Sequence, residues 1–168
     1  TNLTALVPYK SFSGVTTTIT SESSHCFIGY YDLDPVNSLS EVFFHEVPIE
    51  LSNMSCPSNG YIKFCTVNGQ SSERIGNIQI STRALNWQLG SRCQWLDNDN
   101  VVLNDVSKNN LQISKVVNVL SGREVENFDL PFWQLSKSGQ IAVSLNFQRL
   151  RTKRPGYGYT GNYKFGEQ

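Results

Sequence analysis

The sequence predicts an all-β chain built from repeated four-stranded antiparallel units. Three observations support this. Short runs rich in Val, Ile, Thr, Phe and Tyr recur along the 168 residues, polar turn signals separate them, and a strand–turn–strand pattern repeats in the second half. No ten-residue window carries the apolar period of a helix, so helix is expected in less than about a tenth of the chain.

The elements follow in order. Residues 15–20 and 26–31 are β-branched and aromatic runs, and Asp34-Pro35-Val36-Asn37 turns the chain after the second, because Pro fixes φ and Asn and Asp bond their own backbone. Residues 41–47 and 61–67 are strands, the latter ending at Asn68-Gly69, a pair suited to a left-handed turn. Residues 75–80 and 92–96 follow, the second closed by Asp97-Asn98-Asp99-Asn100. Residues 101–105 and 112–119 lead to Leu120-Ser121-Gly122, and 132–135 and 141–147 flank Lys137-Ser138-Gly139-Gln140.

An internal repeat narrows the architecture. Gln94-Trp95-Leu96-Asp97-Asn98-Asp99-Asn100-Val101-Val102 parallels Trp133-Gln134-Leu135-Ser136-Lys137-Ser138-Gly139-Gln140-Ile141-Ala142, and a third copy is read at Tyr30-Tyr31-Asp32-Leu33-Asp34-Pro35 leading to Val42-Phe43-Phe44. Such hairpins, each followed by outer strands, are the layout of β-propeller blades. The anchors Leu33, Leu96 and Leu135 lie 63 and 39 residues apart, so one interval carries about 20 residues beyond a ~40-residue blade, in 50–59, in 82–91 or in both. The expectation is one segment, 1–168, forming about three blades of a partial ring, with Trp87 and Trp95 largely buried between them.

Composition sets the broad class. Hydrophobic content is 39% and charged content 17%, which suits one globular domain, and no apolar run approaches the roughly 18 residues of a membrane span. The chain begins at Thr1 without Met, which fits a removed leader or a longer parent chain. Cys26, Cys56, Cys65 and Cys93 have wide, irregular spacing and do not read as a zinc site or a dense disulfide framework. Cys26, Cys65 and Cys93 read as small core residues of a reducing compartment, so a cytoplasmic location is expected. Asn2-Leu3-Thr4 and Asn53-Met54-Ser55 are sequons of the kind common by chance.

The zero formal charge hides a divided chain. Residues 130–166 hold six Lys/Arg and no acid, whereas residues 1–129 hold eight Lys/Arg against thirteen Asp/Glu. Arg beside Tyr suits an anionic ligand with a flat or apolar face, such as an acidic sugar; a solvated basic turn is the plainer alternative.

Several longer motifs resemble those of a bacterial β-propeller family related in fold to oligogalacturonate lyases and associated with polysaccharide-biosynthesis genes. They are Gly29-Tyr30-Tyr31-Asp32, Thr82-Arg83-Ala84-Leu85-Asn86-Trp87-Gln88-Leu89-Gly90 with Gln94-Trp95-Leu96, Val102-Leu103-Asn104-Asp105, and Arg154-Pro155-Gly156-Tyr157-Gly158-Tyr159. The resemblance runs from about His25 to Tyr159. It departs at Leu85, where relatives carry an aromatic, and at Lys137, where they carry an acid. It implies that this chain is about half a ring, completed by further blades or a symmetry mate.

The candidate ligand-binding residues form three groups: Tyr30, Tyr31 and Asp32; Arg83, Asn86 and Gln88; and Arg149, Arg151, Arg154, Tyr157 and Tyr159. In the first, aromatic rings stack on a sugar and Asp accepts its hydroxyls; alternatively one Tyr packs between blades and Asp32 caps the turn before Pro35. In the second, Arg, Asn and Gln read carboxylate and hydroxyls, or else bond neighbouring backbone. The third follows an inner strand and is expected to share one positive face with Arg83 and Tyr31.

His25 and His45 are the only histidines, and no cluster has metal-ligand spacing. The related lyases use a His- and Gln-based metal site on later blades, so any metal is expected only from blades outside this chain. No nucleophile elbow, phosphate loop or nucleic-acid motif is present, and no nucleic-acid partner is expected. Two functions remain open. One is a propeller that binds or processes an acidic saccharide, by β-elimination on a uronide if it is an enzyme. The other is a non-catalytic scaffold for protein partners.

Overall fold

The computed structural model describes residues 23–51 and 59–159. The strand expected at 15–20, most of the expected 50–59 insertion and both sequons lie outside the described residues.

Three antiparallel sheets follow one another along the chain. The first has order β1 (Ser24–Phe27), β2 (Glu41–Pro48), β3 (Gly60–Thr66), β4 (Ile80–Thr82). The second has order β5 (Gln94–Trp95), β6 (Asn100–Val106), β7 (Gln112–Asn118), β8 (Glu124–Phe128). The third pairs only β9 (Gln134–Leu135) with β10 (Ala142–Val143) and runs into helix α1 (Phe147–Lys153). The all-β expectation holds at this level.

The main core lies between sheets one and two. Phe43, Ile62, Phe64 and Ile80 of the first meet Val101, Leu103, Val117 and Val119 of the second, all buried. Each such side chain contributes about 1.5–3 kcal/mol by leaving water. Trp95 lies over Phe43 and Phe64, with centroids 6.3 and 5.6 Å away, and its indole N–H donates to the Pro35 carbonyl at 2.8 Å. Trp95 and Trp87 are both half-buried, less covered than expected.

Three hairpins define the repeat physically. Asn37 N–H donates to the Glu41 carbonyl, Leu96 N–H to Asn100, and Ser136 N–H to Ile141, at 2.8–3.0 Å. The first hairpin therefore turns at Asn37, not near Leu33, whose N–H closes a separate turn on Tyr30. The third turn is one residue longer, so Trp95 corresponds to Leu135 and Leu96 to Ser136, one residue from the alignment read in sequence. By this hydrogen-bond register Val101 corresponds to Ala142, Val102 to Val143, and Leu103 to Ser144.

Other differences have local causes. The strand expected at 75–80 begins only at Ile80, because residues 73–77 form a turn, with Gly76 at φ +66° and its N–H bonded to the Ser72 carbonyl, while Ile75 still reaches the core. That turn positions Arg74, which donates through Nε and Nη2 to the buried Glu41 carboxylate and through Nη1 to Asp99 of sheet two. Burial alone would raise the Glu41 carboxyl, but hydrogen bonds from Arg74, Asn37 and Ser72 outweigh it and hold the group below its usual range. The run expected as a strand through Phe147 stops because the Asn146 side chain accepts from the Arg149 N–H at 2.9 Å and caps α1.

His45 lies in the interior. Its ring is buried, stacked on Phe27 at 5.1 Å, and its Nε2 accepts from the Ser91 N–H at 3.0 Å. Gly90, at φ +59°, has to be glycine, since a Cβ there would lie 2.4 Å from the imidazole Cε1. Burial pushes the imidazole pKa down to about 4, against a smaller upward push from the backbone of Ile28 and Phe27.

The unfolded chain therefore binds a proton that the folded chain excludes between about pH 6.5 and 4. The stability associated with neutral His45 is complete above pH 6.5 and is lost as pH falls through this window. Urea denaturation is expected to show a loss of about 2 kcal/mol between pH 7 and pH 5, with a flatter dependence in His45→Gln. Identical pH dependence in the two proteins would refute this account.

Candidate functional site

Most of the sequence-predicted site residues surround one seam, where the 83–92 loop, the residues before β9 and the segment after α1 meet. The three groups have different fates there.

Asp32 forms an ion pair with a buried arginine. Its two carboxylate oxygens accept from Nη1 and Nη2 of Arg92 at 2.8 and 3.1 Å. Arg92 has no exposed surface, sits 4.2 Å above the Trp133 ring, and donates through Nε to the Trp133 carbonyl at 2.8 Å. Asp32 therefore does not cap the turn before Pro35. Asp34 does so, accepting from the Val36 N–H at 2.9 Å. Sequence reading missed Arg92 by placing it at the start of an ordinary strand; the available signal was an Arg between Ser91 and Cys93 just after a glycine.

Arg83 and Asn86 bond backbone. The Arg83 guanidinium donates to the carbonyls of Val106 and Ser107 at 2.9 and 2.5 Å. Its N–H donates to Asp105, whose other oxygen accepts from the Lys115 ammonium at 2.6 Å. Asn86 is 3% exposed. Its amide N–H groups donate to Gly156 and Gly158 at 3.1 and 2.9 Å, while its oxygen accepts from the N–H groups of Gln88 and Leu89 at 2.9 and 3.0 Å.

Tyr159 also turns inward. It stacks on Phe147 at 4.5 Å, and its hydroxyl accepts from Asn104 Nδ2 at 2.8 Å. Asn104 also clasps Phe132 through both its N–H and carbonyl. Nothing in the sequence distinguished this tyrosine from Tyr157, two residues earlier.

The remaining residues form a surface patch. Tyr31 is 88% exposed and lies 4.4 Å from the Tyr30 ring. Tyr30 meets Tyr157 edge-on at 6.3 Å, and the Arg154 guanidinium sits 4.6 Å over the Tyr157 ring. Exposed Gln88 borders the patch beside Gly156. Hydrogen bonds to Tyr31 and then Tyr157 push the Tyr30 pKa up to about 12, so at neutral pH its hydroxyl stays protonated and is a donor rather than a base.

The expected single cationic face is divided. Arg149 and Arg151 lie on α1, two residues and thus roughly 200° apart, so they point to different sides. Arg151 packs over Gly158, and Arg83 turns to the Val106 end. Among the described residues, none of Arg149, Arg151 and Arg154 is in an ion pair.

His25 meets Trp87 edge-on at 5.9 Å, on the far side of the 83–92 loop. Among the described residues no group of three His, Cys, Asp or Glu is placed to hold a metal ion. Cys65 and Cys93 are buried, and burial pushes both thiols up, which suppresses the reactive thiolate.

Asn86→Ala is expected to lower the unfolding free energy by about 2–3 kcal/mol, because two carbonyls and two N–H groups lose their partner in a buried site. Asn86→Asp keeps the acceptor but points an anion at the carbonyls of Gly156 and Gly158, so it should be at least as damaging. Denaturant midpoints decide this, and a fully stable Asp variant would show that the clasp is unimportant.

No protein family, curated protein or solved structure matches this chain.

Proposed function

We propose that the three sheets are successive blades of a β-propeller and that the patch of Tyr31, Tyr157, Arg154 and Gln88 binds an acidic saccharide. The observation that carries this reading is the placement of Arg154. Its guanidinium lies over the Tyr157 ring and has no acidic partner among the described residues, and Tyr157 meets Tyr30, which in turn lies against the exposed Tyr31. An aromatic face accepts the apolar side of a sugar ring, and an unpaired guanidinium reads its carboxylate with two N–H groups. Gln88 supplies both a donor and an acceptor for hydroxyls.

Binding is favoured over turnover. Tyr30 is held protonated, and His45, the depressed-pKa imidazole, is sealed under Phe27 and Gly90. A uronide β-elimination would need a base that this patch does not supply.

Titration calorimetry with uronide oligosaccharides tests the proposal. Binding should weaken with added salt, fall by about 1.5–3 kcal/mol in Arg154→Ala through loss of a charge-assisted contact, and fall again in Tyr31→Ala. Equal binding by wild type and Arg154→Ala, or binding of a neutral glycan alone, would overturn it in favour of a scaffold for protein partners.

A further inference from the structure

The stretch from Asn86 to Arg92 joins one buried imidazole to both arms of the tyrosine patch. Ser91 donates its N–H to His45 Nε2 at 3.0 Å, so the neutral ring carries its one proton on Nδ1. The Ser91 carbonyl accepts from the Asn104 N–H at 2.9 Å, and the Gly90 N–H donates to the Asn86 carbonyl at 2.8 Å. Arg92, the next residue, holds Asp32 beside Tyr31. Asn86 holds the carbonyls of Gly156 and Gly158 on either side of Tyr157.

A protonated ring does not fit this arrangement. An imidazolium has no lone pair on Nε2, so its new N–H meets the Ser91 N–H donor to donor. The Ser91 hydroxyl, also 3.0 Å from Nε2, can take the new proton, but the backbone N–H is then left facing a cation without an acceptor. The ring has little room to retreat. It stacks on Phe27 at 5.1 Å, meets Phe43 edge-on at 6.2 Å and lies against Gly90. Among the described residues the charged and titratable groups nearby are engaged elsewhere. Glu46 is paired with Lys63 and Ser24 on the other face of β2, and Glu41, four residues along the strand, is paired with Arg74. His25 of β1 meets Trp87, Ile62 is the partner of His45 on β3, and Arg92 and Asp32 face each other. The part able to yield is the backbone at 90–92, where Gly90 and Arg92 sit at φ of +59° and +58°.

We propose that His45 and the 90–92 backbone form an acid-sensitive latch: a proton on the ring releases Ser91, the loop opens, and Arg92 and Asn86 let go of the two patch arms. Neutral pH thus presents the tyrosines and acid withdraws them. The inference concerns how the patch is held and stands apart from what binds there. With the loop closed, burial keeps the ring neutral down to about pH 4; with the loop open, the ring takes a proton at about 6.5. Opening is therefore independent of pH above 6.5. Below that, each unit favours the open loop about tenfold, until about pH 4.

Amide hydrogen exchange on the full chain tests this, with each rate divided by its intrinsic rate at the same pH. Protection at Ser91 and Arg92 should fall about 20-fold from pH 7 to pH 5. Leu33 and Tyr157, whose N–H groups bond to the Tyr30 and Arg154 carbonyls in the two patch arms, should fall in step. Gly122, in the turn between β7 and β8, should not change. In His45→Gln, whose amide oxygen still accepts from Ser91 but does not titrate, all four amides should stay flat. At pH 5 the four should also remain about tenfold or more below the interior Leu103 amide, since a local opening costs less than global unfolding. Protection equal to that of Leu103 would mean that only global unfolding exposes the ring, and would overturn the proposal. A flat response in wild type, a response kept in His45→Gln, or one confined to Ser91 and Arg92 would overturn it as well. Where His45→Gln does not fold, the wild-type comparison with Gly122 and Leu103 decides alone. Saccharide binding is measured at pH 7, with the latch closed, so its failure is distinct from all of these results.

Discussion

The buried guanidinium of Arg92 is the point on which the rest of this structure depends. It pairs with Asp32, which follows β1 of the first sheet, it leads into β5 of the second, and it bonds and stacks on Trp133, which leads into β9 of the third. One side chain thus ties all three sheets where their first strands converge. A charge removed from water costs several kcal/mol unless its donors are satisfied and a counter-charge is close. Here both terminal nitrogens meet a carboxylate and Nε meets a carbonyl, so the geometry meets that condition. Its φ of +58° adds strain that only such a bonded environment holds in place. Loss of either Asp32 or Trp133 would leave a buried cation short of partners, whereas loss of an exposed arginine on α1 would leave no such debt.

The motifs that drew attention in the sequence are mostly fasteners of this seam. Asn86 clasps the backbone on both sides of Tyr157, and Asn104 holds the chain at Phe132 and the hydroxyl of Tyr159. An asparagine is suited to this task because it offers donors and an acceptor in one plane without a charge to desolvate. A density of hydrogen-bonding side chains in a loop therefore has two physical meanings: recognition of a ligand, or satisfaction of backbone groups that no sheet pairs. Sequence alone did not separate them, because the deciding fact is which way each side chain points.

The strands were legible where alternation and β-branched content agree, as in β2, β3, β6 and β7. β8 was missed because Glu124, Glu126 and Asn127 mask it; an outermost, wholly exposed strand has no buried face to impose a pattern. Helix α1 was missed because Val143, Leu145 and Phe147 continue a strand-like alternation up to the cap at Asn146. Arg151 and Lys153 in its last turn and the Asn cap were the readable signals, but seven residues fall below what periodicity resolves. The tyrosine patch was half-legible: the clustering of tyrosine with arginine was expected, but the inward turn of Tyr159 and the splitting of the arginines by a helix were not.

These fasteners determine how the patch is presented. Tyr31 immediately precedes Asp32, whose carboxylate is held by two bonds to a fully buried arginine, so the backbone carrying the most exposed tyrosine is anchored one residue away. Tyr157 stands between Gly156 and Gly158, whose carbonyls are both fixed by Asn86. The two glycines adopt φ of +95° and +79°, and a Cβ on Gly158 would collide with the Phe147 carbonyl at 2.3 Å. Backbone that no sheet pairs is thereby held as firmly as a strand on both sides of the patch. Aromatic side chains have few torsions left to freeze, so rings mounted on fixed backbone lose little entropy when a ligand settles on them. The polar residues that bind nothing but this protein's own backbone thus set the geometry that the exposed residues offer to solvent.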